Sequence, residues 1–360
     1  MSHVTEEEIL TALLPIQDPD LGSSIVELGF VKDIRIEGER VSFNIELTTP
    51  ACPLKQTFKE AAEKAVLALP GVSAVDVTMT ASAQELTPAN ESEVFKSVGN
   101  AIAVASGKGG VGKSTIAVNL ALGLQELGAR VGLLDCDIYG PSIPLMLNVS
   151  GPPGVTPDKK ILPKQSYGLE LMSMGFLNSD DAPVIWRGPM VHGVIKQVLS
   201  DVLWSELDYL VLDLPPGTGD AALTLTQLAP LSGAIIVSTP QEVALIDARK
   251  GLKMFQQVNV PVLGIVENMG YFICPNCETR HAIFGEGGSK QTAADLGDPL
   301  LSQIPLQADI VSAGDRGKPT VLAAPKSPAG RAFLDLAGAV ARTLSVVKIE
   351  ALPTVPRSIQ

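Results

Sequence analysis

Ala101-Ile102-Ala103-Val104-Ala105-Ser106-Gly107-Lys108-Gly109-Gly110-Val111-Gly112-Lys113-Ser114-Thr115 joins an unbroken apolar run to a glycine-rich turn. The run Ala101 to Ala105 predicts a buried strand, and residues 107–115 satisfy G-x-x-x-x-G-K-[ST] in the strand-to-helix setting that this motif requires. The glycines let successive backbone N–H groups converge on phosphate oxygens. A helix predicted to begin near Gly112 adds its positive end, and Lys113 reaches the β- and γ-phosphates. Ser114 is the candidate Mg²⁺ ligand. Gly107, Gly109, Gly110, Val111, Gly112, Lys113, Ser114 and Thr115 thus form the candidate nucleotide cradle. Lys108, inside the loop, has two readings. It is either a solvated loop lysine or a phosphate contact made across a dimer interface, since its own loop backbone already surrounds the same nucleotide.

Further apolar runs follow at Val131 to Leu134, Leu169 to Met174, Tyr209 to Leu214, Ala234 to Ser238, Val262 to Val266 and Leu300 to Ile304, with helical segments between them. Such runs predict an α/β fold with a doubly wound, mostly parallel sheet buried on both faces. Ligands then bind beyond the carboxyl ends of the strands. Residues 1–80 read as a smaller α/β domain. Thr5 caps a short helix to about Leu14, Phe30 to Ile36 and Val41 to Leu47 form a hairpin, a helix runs to about Leu69, and Val72 to Met79 is a third strand. Residues 81–97 read as a polar linker, 98–347 as the phosphate-loop domain and 348–360 as a loose tail.

The chain has 360 residues, with 27 Lys+Arg against 39 Asp+Glu and a formal charge of −12. That balance opposes binding to nucleic acid or an anionic membrane, both of which draw on basic clusters. The start carries three consecutive glutamates rather than a basic leader, and no apolar run is long enough to span a bilayer. Four cysteines cannot staple a chain of this length, which predicts a reducing, cytoplasmic setting.

Two other predicted strands end in carboxylates, at Asp135-Cys136-Asp137 and at Asp213-Leu214-Pro215-Pro216-Gly217-Thr218-Gly219-Asp220. A carboxylate there suits a magnesium-water ligand or a water-positioning group. Asp135 can equally cap the next turn. No Asn-Lys-x-Asp guanine box occurs in the chain, and Glu267-Asn268-Met269 follows the sixth strand, with Asn268 either a base contact or a turn residue. Cys274-Pro275-Asn276-Cys277 comes next. A thioredoxin-like dithiol needs a helix start, and a zinc ribbon needs a second pair, although His281 could add a third ligand. Two structural cysteines seldom fall at this spacing. An iron-sulfur cluster takes four thiolates, which a symmetric dimer of this chain would supply.

The loop GKGGVGKST resembles the deviant P-loop of the ParA, MinD and nitrogenase iron-protein superfamily. That resemblance implies that Lys108 contacts the partner subunit's nucleotide. It also implies that Asp137 orients the attacking water, Asp213 is the Walker B acid, the Gly217 amide senses the γ-phosphate and Asn268 contacts adenine, which favours ATP. With Asp135-Cys136-Asp137-Ile138-Tyr139-Gly140-Pro141-Ser142, Trp186-Arg187-Gly188-Pro189-Met190 and the C-x-x-C, nearly the whole chain looks like the Mrp/ApbC-type iron-sulfur cluster carrier ATPases. Residues 1–80, with Asp18-Pro19-Asp20-Leu21-Gly22 and Thr48-Thr49-Pro50-Ala51-Cys52-Pro53, resemble the small domain that many members carry. The resemblance implies a homodimer whose Cys274 and Cys277 pairs hold a bridging [4Fe-4S] cluster. It further implies slow ATP hydrolysis, and recipient apoproteins and assembly factors as partners. The alternative is a ParA/MinD-like positioning ATPase, in which the C-x-x-C has no role. A nitrogenase-reductase-like electron donor fits less well, because its cluster cysteines fall in two separate loops. Cys52, before a helix, is either a transient ligand or a small buried residue. Cys136 is expected to pack inward and His192 to be structural, while Trp186 and Arg187 either shape a dimer or client surface or, more plainly, are a core tryptophan and a surface arginine.

Overall fold

The computed structural model describes residues 4–19, 21–81, 94–177 and 188–351. Most of the expected linker, Trp186, Arg187, Asp20 and the end of the tail lie outside the described residues. By internal packing the chain divides into Met1–Leu86 with Ala341–Gln360, and Thr87–Val340.

In the smaller unit, helix α1 (Glu6–Leu13) starts in a capping box. The Thr5 hydroxyl accepts from the Glu8 amide at 3.3 Å and the Glu8 carboxylate accepts from the Thr5 amide at 2.8 Å. Strands β1 (Val31–Glu37) and β2 (Arg40–Leu47) form the expected antiparallel hairpin. Helix α2 (Lys55–Leu67) crosses over to β3 (Ala74–Ala81), which pairs parallel with β2. Strand β2 buries Val41, Phe43, Ile45 and Leu47 at alternate positions, against Phe58, Ala62 and Val66 of α2 and Ile9 and Leu13 of α1. Cys52 is half-buried beside this core, between β2 and α2.

The larger unit follows the strand-helix alternation read from the sequence. The strands of its main sheet are β4 (Ala101–Ser106), β5 (Val131–Asp135), β6 (Lys164–Ser166), β7 (Leu169–Ser173), β8 (Tyr209–Asp213), β9 (Gly233–Ser238), β10 (Val262–Ile273), β11 (Arg280–His281) and β12 (Leu300–Leu306). Among the described residues they build one nine-stranded sheet in the order β6-β7-β5-β8-β4-β9-β10-β11, with β12 also on β10. Only β6 and β11 run antiparallel to their neighbours. Every residue of β4, β5, β8 and β9 is buried, as expected for parallel strands covered on both faces. From Lys113 onward the helices of eight residues or more are α3 (Lys113–Glu126), α4 (Gly188–Asp201), α5 (Asp220–Leu228), α6 (Glu242–Gln257), α7 (Gly288–Leu296), α8 (Ala308–Asp315) and α9 (Pro328–Ala351).

Two expectations are corrected. The sixth strand does not stop at Val266: β10 continues to Ile273, because β12 keeps pairing with it at Tyr271 and Phe272. Asn268-Met269-Gly270 reads as a turn yet forms a bulge within the strand. The last helix likewise runs past 347 to Ala351. No helix among the described residues is long and apolar enough to cross a membrane.

Candidate functional site

Four strand ends converge at the carboxyl edge of the sheet. The loop after β4 turns into α3 through Gly110 and Gly112, at φ +82° and +83°, a left-handed backbone that glycine adopts without a Cβ clash. Gly112 is the N-cap of α3, so the first amides of this nearly wholly buried helix face the loop. Asn268, at the end of the regular part of β10, donates from Nδ2 to the Val111 carbonyl at 2.8 Å, fixing the loop from the side. Lys108 is half-buried, and its carbonyl accepts from the Ser106 hydroxyl at 2.9 Å.

A buried ion pair joins α3 to β8. Lys113 Nζ lies 2.6 Å from Asp213 Oδ1 and 3.5 Å from Ser114 Oγ, with the lysine 6% and the aspartate 0% exposed. Burial pushes the Asp213 carboxyl above its usual range, and Lys113 and Ser114 oppose that rise. Its second oxygen, Oδ2, is buried with no hydrogen-bond partner. Asp135, at the end of β5, accepts from Ser173 Oγ at 2.9 Å and from the Asp137 amide at 3.1 Å. Burial first, and the nearby Asp213 charge second, push its pKa up to about 7. Asp137 Oδ1 accepts from the Tyr139 and Gly140 amides, each at 3.1 Å, which fixes the direction of its carboxylate. The Gly217 amide donates to the Ser106 carbonyl at 2.8 Å. Cys136 is buried with its thiol pKa raised by desolvation, consistent with inward packing rather than ligation.

The cysteine pair sits at the tip of the β10–β11 hairpin. Phe272 pairs with His281 and Ile273 with Arg280. The turn between them is closed by the Cys274 amide on the Thr279 carbonyl at 3.0 Å and the Glu278 amide on the Cys274 carbonyl at 2.9 Å. Cys274 is half-buried and Cys277 exposed. The Cys277 sulfur lies 3.3 Å from the Thr279 hydroxyl. Hydrogen bonds from Thr279 first, then from Cys274, lower its pKa and favour thiolate. His281 does not complete a metal site, since no group of three or more His, Cys, Asp or Glu side chains among the described residues could hold a metal ion.

Sequence reasoning missed Ser173, which holds Asp135, and the Thr279, Arg280, Gln303 and Glu267 side chains around the hairpin. Ser173 had one signal, a polar residue ending an apolar strand. His192 lies on the exposed face of α4.

Comparison with known proteins covers both parts of the chain. Residues 97–341 match the family described as NUBPL iron-transfer P-loop NTPase, and residues 6–86 match the iron-sulfur cluster assembly protein family. An iron-sulfur cluster carrier protein from Synechocystis is 49% identical over 351 residues, covering 96% of this chain and 99% of its own. A nucleotide-binding protein from Archaeoglobus fulgidus, solved in complex with ADP, is 42% identical with a TM-score of 0.57, covering 63% of this chain and 89% of that one. The cell division ATPase MinD of Pyrococcus furiosus shares the fold at a TM-score of 0.52 and 22% identity, covering 67% of this chain and 98% of that one. With both family models matched and a carrier protein nearly half identical along almost its whole length, the chain belongs to the iron-sulfur cluster carrier family of P-loop NTPases.

Proposed function

We propose that this protein works as a homodimer that holds a [4Fe-4S] cluster between the Cys274 and Cys277 pairs of two chains. It passes the cluster to recipient apoproteins and hydrolyses ATP slowly to control the exchange. The observation that carries the proposal is the hairpin: two thiols, one exposed with a lowered pKa, stand in the turn that directly follows the strand whose Asn268 braces the phosphate loop. Two thiolates are half of what a cluster takes, and no third ligand joins them among the described residues. A second copy supplies the rest. The surface around the phosphate loop suits such a copy, because Tyr139 is 73% exposed after β5, and Val243 is 63% and Ile246 45% exposed at the start of α6. Lys108 of each chain would then reach the nucleotide of the other.

ATP enters with its phosphates on the amides of residues 107–115 and its adenine beside Asn268. Lys113 turns from Asp213 toward the β- and γ-phosphates, and the Gly217 amide exchanges the Ser106 carbonyl for a phosphate oxygen. The donor set fits Mg²⁺, since the Ser114 hydroxyl and the unpartnered Asp213 Oδ2 are hard oxygen ligands. When bound, the ion neutralises phosphate charge. Asp137, held by two backbone amides, orients a water in line with the γ-phosphorus. A positioning ATPase without cargo leaves the exposed cysteine hairpin with no role.

Cys277→Ala is expected to lose cluster binding after anaerobic reconstitution with iron and sulfide, read by iron content and visible absorbance, while still binding ATP. Wild-type iron stoichiometry in that variant would overturn the proposal.

A further inference from the structure

Between Asn268 and the cysteine hairpin, β10 is interrupted. Glu267 pairs with Gln303 and Tyr271 with Pro305, so residues 268–270 stand opposite Ile304 alone. Met269 takes φ +56°, a left-handed backbone that a non-glycine residue adopts at a cost. A chain of side chains spans this bulge. Gln303 Nε2 donates to Glu267 Oε1 at 2.7 Å, Arg280 Nη2 donates to Gln303 Oε1 at 3.2 Å, and the Arg280 guanidinium lies 3.8 Å over the Tyr271 ring. Arg280 is bonded to Thr279, whose hydroxyl touches Cys277. At the other end Glu267 is bonded to Asn268, whose amide holds the Val111 carbonyl of the phosphate loop. Glu267 is 1% exposed and its Oε2 has no partner. A buried carboxylate so incompletely paired costs free energy, and an apolar residue would fill a β-strand position more cheaply.

We propose that the Glu267–Gln303–Arg280 chain transmits the position of the phosphate loop across the β10 bulge to the cysteine hairpin, with Gln303 and Arg280 as positioning residues. The inference rests on reading that hairpin as the cluster-binding site. When the loop closes on phosphate, Val111 moves Asn268 and with it Glu267. The bulge absorbs the backbone change, and the side-chain chain turns Arg280 and hence the Thr279–Cys277 contact. Under this proposal the bulge is the element that changes arrangement, which such coupling requires.

The test uses the full-length, cluster-free protein. The rate of Cys277 alkylation by iodoacetamide is followed by site-resolved mass spectrometry, without nucleotide and with saturating ATP. In wild type the two rates are expected to differ about fivefold or more. In Gln303→Leu and in Arg280→Ala they become equal although ATP still binds, and Arg280→Lys, which keeps a charged donor, recovers part of the difference. Arg280 is exposed, so its variants carry the test should Gln303→Leu not fold. The ratio with and without ATP, rather than the basal rate, is the readout, so a direct effect of the guanidinium charge on the thiol cancels. An undiminished ATP response in Arg280→Ala overturns the inference, as does a wild-type thiol indifferent to ATP. Failure of the cluster reading is seen separately, as wild-type protein that takes up no cluster on reconstitution.

Discussion

Lys113→Ala is expected to abolish ATP hydrolysis and to lower stability at the same time. The ammonium is the group placed to meet the β- and γ-phosphates, and it also lies 2.6 Å from a fully buried Asp213. Removing one partner of a buried pair leaves the other uncompensated, at about 3–5 kcal/mol. Burial already raises the Asp213 pKa and Lys113 holds it down, so the variant's carboxyl takes up a proton more readily and recovers part of that loss. Phosphate release and urea unfolding measure the two effects. Hydrolysis at the wild-type rate would show that the phosphate loop is misread.

Gly107→Ala is expected to weaken ATP binding by about 10- to 100-fold, since an overpacked contact costs about 1–3 kcal/mol and each 1.4 kcal/mol is about tenfold in affinity. A Cβ at Gly107 would collide with the backbone carbonyl of Asp247 in α6. Backbone cannot rotate aside as a side chain can, so either the loop or the helix must move. Gly193, on the exposed face of α4 and outside the loop, is the control: a Cβ there meets no atom within 4 Å, and Gly193→Ala should bind nucleotide as wild type does. Calorimetric titration compares the two. Equal affinities would show that α6 does not constrain the loop.

The phosphate loop was legible because its chemistry is contiguous. Glycines, lysine and hydroxyl fall within nine residues, and the buried strand before them announces itself as an apolar run. Asp137 and Asp213 were legible because apolar strands end just before or at them, and parallel sheets present such ends on one edge. What depends on pairing between distant segments was not legible. The Lys113–Asp213 contact joins residues 100 apart, and Ser173 meets Asp135 only because β7 lies beside β5. The extension of β10 was hidden for a different reason. Asn268-Met269-Gly270 has turn chemistry, and only the continued pairing of Tyr271 and Phe272 with β12 keeps the strand whole. The C-x-x-C lies in a loop, as the sequence predicts, and what that reading lacked is the pairing of Phe272 with His281 and Ile273 with Arg280 that closes the loop into a hairpin.

The central claim is that one cluster is shared by two chains, and it is tested most directly by measuring iron and mass together on anaerobically reconstituted protein. Analytical ultracentrifugation of the coloured species, with iron quantified per chain, should give a dimer carrying about two irons per chain, one [4Fe-4S] cluster for every two cysteine pairs. A coloured monomer with a full cluster of its own would contradict the account.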